Sequence, residues 1–216
     1  MSNTLTEISL LGAVDWLTAH DTDLAGVIQR YGPPPLWARE PGFSTLVHII
    51  LEQQVSLASA QAAFDNLKRA LGRITPRKFL KLDDVELRTI GFSRQKASYV
   101  RALAQAIVSR TFNPDGLSEL SDNDVHAQLV QLKGIGDWTA GIYLLMVLRR
   151  PDIWPHGDIA LASAAQRVKQ LPKRPTFDEL DQIAEQWRPY RAVAARLLWH
   201  YYLSERLDRQ PKAGSG

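Results

Sequence analysis

The sequence predicts an all-α chain, and three observations carry that prediction. Apolar residues recur at helical spacing along most of the length, no segment alternates apolar and polar residues like a half-buried strand, and helix-start signals follow one another. With 216 residues, 45% of them hydrophobic, the chain can bury one sizeable core, either whole or split into two lobes.

The elements follow in order. Pro33-Pro34-Pro35 separates an N-terminal helical segment from a helix that starts near Ser44 and is apolar at Leu46, Val47, Ile49, Ile50 and Leu51. Ser56 is a fresh N-cap for a helix ending at Gly72, which leaves Gln53-Gln54-Val55 at a junction. Further starts stand at Thr75-Pro76, at the capping box of Asp83 with Glu86, at Ser93, and at Thr176 with Glu179. Val125, Leu129 and Leu132 lie on one face of a helix from about Asp122 to Leu132. Another helix runs from about Asp137 through Trp138, Ile142, Leu145 and Met146 to Arg149-Arg150, where Pro151 stops it. Ile159, Leu161, Ala162, Ala165 and Val168 mark one more. Residues 208–216 are small, polar and aperiodic and form an expected tail outside a single domain of residues 1–207.

The junction Leu132-Lys133-Gly134-Ile135-Gly136-Asp137 is the most informative stretch. Two glycines two residues apart permit positive φ and remove side-chain bulk, so another backbone can come close. The amides of Gly134, Ile135 and Gly136 then sit at the start of the second helix, where the helix dipole attracts an anion such as phosphate, and Lys133 adds charge. The alternative is that Gly-x-Gly merely closes a helical hairpin. Leu87-Arg88-Thr89-Ile90-Gly91-Phe92-Ser93 echoes this hairpin faintly without amounting to a repeat.

Composition narrows the field. Net charge is +3, which permits a polyanionic partner without demanding one. Zero cysteines exclude disulfides, thiolate catalysis and cysteine-ligated clusters. No apolar run is long enough for a membrane span and no signal peptide opens the chain, so a cytoplasmic protein is expected. No His/Asp/Glu set has metal-ligand spacing, so no metal or other cofactor is expected.

Five segments stand in order along the chain: HIILEQQVSLASA at 48–60, GFSRQKASYVRALA at 91–104, LKGIGDWTA at 132–140, HGDIALASAAQRV at 156–168 and WRPYRAVAARLLWHYY at 187–202. Together they resemble the helix-hairpin-helix DNA glycosylase superfamily, and within it the bacterial 3-methyladenine DNA glycosylase II group. The resemblance implies two helical lobes, about 44–150 and the terminal segments, with the active site in the cleft between them. It also implies a monofunctional glycosylase that flips an alkylated base, such as 3-methyladenine or 7-methylguanine, out of double-stranded DNA and hydrolyses its N-glycosidic bond. The absent cysteines separate the chain from superfamily members that carry an iron–sulfur cluster. A same-fold glycosylase for deaminated or oxidised bases, and a non-catalytic DNA-binding module, are the alternatives.

Residue by residue, the resemblance places a catalytic carboxylate at Asp158, which by local sequence is also an N-cap. Such a carboxylate stabilises positive charge building on the sugar. Trp138 stands where strand-cutting relatives have a nucleophilic lysine, and its π-face suits a cationic methylated base; its other reading is a core residue. Trp199 is a second pocket aromatic, and Ile142 stands where relatives have tyrosine. Gln54 falls at the position inserted into the duplex, with Gln53 beside it tying the loop; both also read as exposed glutamines at a helix end. Arg94, Lys96, Lys133 and Arg167 are placed to hold the DNA backbone. Of the histidines, only His156 stands near the proposed chemistry. A monovalent ion on the hairpin carbonyls follows from the resemblance alone.

Overall fold

The computed structural model describes residues 4–208, and among them there are twelve α-helices and no β-strand. The described residues form two compact units, one of residues 4–37 and 149–208, the other Ala38–Leu148. No helix among them is long and apolar enough to cross a membrane.

The first unit opens with α1 (Glu7–His20) and α2 (Thr22–Tyr31). Asp21 ends one and starts the other: its Oδ1 accepts from the backbone N–H groups of Asp23 and Leu24. The chain then builds the second unit from α3 (Phe43–Glu52), α4 (Leu57–Leu71), α5 (Pro76–Phe79), α6 (Asp84–Ile90), α7 (Arg94–Val108), α8 (Asp122–Val130) and α9 (Asp137–Ile142). It returns to the first unit with α10 (Ile159–Val168), α11 (Phe177–Ala184) and α12 (Arg191–Asp208).

Most of the starts are where side-chain chemistry puts them. Ser56, Thr75, Ser93 and Asp158 each accept a backbone N–H from the first turn that follows. Asp83 with Glu86 and Thr176 with Glu179 form complete capping boxes. The second unit's core is built on α3, whose Leu46, Val47, Ile49, Ile50 and Leu51 are buried, and on the clustered rings of Phe43, Phe79 and Phe92. The first unit's core centres on α12, where every residue from Ala192 to Trp199 is buried.

In the first unit a buried polar knot fixes the corner between α1 and α2. Asp21, 6% exposed, accepts Trp187 Nε1–H at 2.8 Å and Lys169 Nζ–H at 3.1 Å. Burial pushes the Asp21 carboxyl up, but the hydrogen bonds from Trp187 and Lys169 outweigh it and hold the group below its ordinary value.

Two boundaries differ from the sequence expectation. The helix expected to continue to Arg149-Arg150 is α-helical only to Ile142, continues as a π turn at Tyr143–Val147, and is ended by Arg149 at φ 55° before Pro151. Periodicity could not reveal the π turn, because Tyr143, Leu144, Leu145 and Val147 are all buried and the segment is apolar all round. The tail expected from Asp208 starts no earlier than residue 209: Asp208 closes α12 and its carboxylate pairs with Arg30 at 3.6 Å. Residues 209–216 lie outside the described residues.

Candidate functional site

The hairpin between α8 and α9 lies in the second unit. Gly136 is the N-cap of α9 with no side-chain hydrogen bond to the helix start. The expectation of three available amides is corrected at Ile135: its N–H donates to the Leu132 carbonyl at 3.0 Å and closes the turn, while its side chain is buried. The two glycines do different jobs. Gly134 has φ 83°, and a β-carbon there would stand 2.1 Å from the Tyr99 ring, so conformation and packing both require glycine. Gly136 has φ −105° and nothing within 4 Å of a β-carbon, so what its missing side chain leaves is open space over the turn.

Gln53, expected both to touch DNA and to tie the loop, has its amide engaged within the unit. Its Nε2 donates to the Gly134 carbonyl at 2.9 Å and to Thr139 Oγ1 at 2.9 Å, stitching the end of α3 to the turn. Gln54 beside it is exposed and held at φ 56°, a left-handed conformation that costs a side-chain-bearing residue energy. Lys96, expected on the DNA backbone, donates instead to the Leu51 carbonyl at 2.6 Å near the C-terminus of α3, and burial lowers its pKa. Arg94 is exposed, and Lys133 donates to Ser98 Oγ at 2.8 Å. Trp138 is half-buried, whereas Ile142, expected to line a base pocket, is 2% exposed and offers no open surface to a base as it stands.

In the first unit Asp158 heads α10, and its Oδ1 accepts the Leu161 N–H at 2.9 Å. The carboxylate is half-buried and held at a helix start, where the dipole favours its charge. The loop leading to it is clamped by Asp181 of α11, which accepts Trp154 Nε1–H at 2.9 Å and His156 Nδ1–H at 2.6 Å. His156, Asp178 and Asp181 bring ligand-type atoms within 4.8 Å of one another, a grouping that sequence spacing hid because His156 stands in the loop before α10 and the two aspartates on α11. The same loop is anchored earlier by Asp152, which takes Arg188 at 2.7 Å and Arg191 at 3.0 Å. Trp199, on α12, is 8% exposed, and Arg167 is exposed on α10.

The family model of HhH-GPD superfamily base excision DNA repair proteins matches residues 47–189, a span that takes in the hairpin, Trp138 and Asp158. The chain belongs to this superfamily. Among similar superfamily proteins, DNA-3-methyladenine glycosylase 1 of Schizosaccharomyces pombe is 28% identical over 180 residues, covering 82% of this chain and 79% of that protein. YfjP of Bacillus subtilis is 28% identical over 186 residues, covering 82% of this chain but only 65% of its own length. The solved structure of the S. pombe 3-methyladenine DNA glycosylase Mag1 in complex with abasic DNA matches with a TM-score of 0.80 at 27% identity, over 87% of this chain and 95% of that one.

Proposed function

We propose that the protein is a monofunctional DNA glycosylase that releases alkylated bases, such as 3-methyladenine or 7-methylguanine, from double-stranded DNA. The observation that carries this is Asp158, a half-buried carboxylate held at the head of α10 in a chain whose relatives are named 3-methyladenine glycosylases. As the bond between C1′ and the base nitrogen breaks, its electrons neutralise the cationic base and positive charge builds on the sugar. A fixed carboxylate stabilises that charge; water then adds at C1′ and loses its proton to solvent. Trp138 offers a π-face to the cationic base and no nucleophile, so the product is an abasic site in an intact strand.

Gln54 is the residue that fills the gap left by the flipped base. Its support is an exposed side chain on a strained backbone, a combination that clusters at functional positions. Arg94, Lys133 and the open turn at Gly136 hold phosphates, and Gln53 and Lys96 brace that surface from behind. The protein acts as a monomer on chromosomal DNA in the cytoplasm.

Incubation with methylated DNA, with free bases resolved by chromatography, tests the proposal. Wild type should release methylpurines in multiple turnovers. Asp158→Asn keeps an acceptor for the Leu161 N–H and should fold normally, yet lose roughly 10²-fold or more in rate. Near-normal turnover by the folded variant would remove Asp158 from the chemistry.

A further inference from the structure

Beside the hairpin, α6 and α7 of the second unit form a groove of about 360 Å³ that the proposed chemistry does not use. Its floor is apolar, from Leu87, Phe92 and Ala97, and its rim is charged. Four basic side chains line it, Arg88, Arg94, Arg101 and Lys133, against one acidic group, Asp84. Arg101 pairs with the exposed Asp84 and also donates to the Leu82 carbonyl at 2.8 Å, so the groove's one acid already has a cationic partner. The Arg101 guanidinium holds the Asp84 carboxyl below its ordinary range, with burial acting the other way and Arg88 and Arg94 adding their charge. Arg88 and Arg94 are exposed, and Lys133 pairs with no carboxylate in this groove but donates to a serine hydroxyl, Ser98 Oγ.

Two facts on this surface choose the occupant. The excess of cations suits a polyanion, and the groove is continuous with the hairpin, because Lys133 belongs to both. We propose that this groove is a second phosphate track, which carries the DNA backbone onward from the hairpin along α6 and α7 and so extends the footprint of the bound duplex. The proposal rests on the glycosylase reading for its ligand, but it concerns affinity and footprint, not chemistry. Arg88 is the residue it adds to the DNA interface. The turn Leu87 to Ser93 then echoes the hairpin in use as well as in sequence, presenting basic side chains where the hairpin presents amides.

Binding of the full chain to two undamaged duplexes tests it. One is just long enough to reach the hairpin; the other is extended by about ten base pairs, one helical turn, at one end or the other. Wild type should bind more tightly when one particular end is extended, and Arg88→Glu should abolish that gain, a several-fold loss on the long duplex only. Arg88→Ala should make the slope of log affinity against log salt shallower by about one. Both variants should keep the wild-type melting midpoint, which shows that they fold. Equal affinity and equal salt slope for wild type and Arg88→Glu on the long duplex would overturn the groove. If the Arg88 dependence holds while wild type releases no base, the groove stands and the enzymatic reading falls.

Discussion

At the scale of single residues, the two hairpin glycines separate packing from binding. Gly134→Ala places a β-carbon into the Tyr99 ring at a positive φ, so it should cost about 1–3 kcal/mol of stability and weaken DNA binding only through that damage. Gly136→Ala meets nothing and sits at an ordinary φ. Its melting midpoint should be unchanged while affinity for damaged and undamaged duplexes falls together, several-fold, at matched salt. Unchanged affinity would mean that the turn is structural only. The sequence alone could not divide these roles. Both glycines read as permissive positions, and Tyr99, the residue that decides between them, lies on another helix.

At the scale of elements, the helix starts were legible because each rests on chemistry within four residues: a hydroxyl or carboxylate at the cap and the amides that follow. What rested on distant partners was not. The Asp181 clamp on the loop before Asp158 and the withdrawal of Lys96 into the unit depend on residues far away in sequence, and the π turn after Ile142 was hidden by a segment apolar all round. The junction between α3 and α4 shows the consequence for function, since one glutamine braces the turn and its neighbour is left exposed at φ 56°. Gln54→Gly removes the left-handed strain, so the melting midpoint should not fall. Base release should fall about tenfold or more, because a flipped base leaves a void whose cost exceeds 1.4 kcal/mol. Full activity in that variant would take the gap-filling role away from Gln54.

At the scale of the whole molecule, each unit has its own core, and acid should find the first through Asp21. The folded-state pKa of Asp21 lies below its ordinary 3.8, so its stabilisation is complete above that value and is lost as pH falls through the lowered one. Lys169 lies above its ordinary 10.5: burial lowers it, but Asp23 and Asp21 outweigh burial, so its share is lost only as pH rises beyond that value. Between these limits the knot contributes a constant amount. Asp21→Ala should cost about 3 kcal/mol or more in urea unfolding at neutral pH, with a shallower decline at low pH than wild type. A cost below 1 kcal/mol would show that the knot is incidental.

The central claim is hydrolysis of a glycosidic bond without attack by a protein amine, and one measurement bears on it most directly. Duplex DNA with a single methylated purine is turned over in the presence of borohydride, and protein–DNA adducts and strand breaks are then resolved on one gel. The account predicts released base, no covalent adduct, and strand breaks only after hot alkali. Efficient trapping that disappears on replacing any one lysine would contradict it, because the nucleophile that Trp138 excludes would then lie elsewhere in the chain.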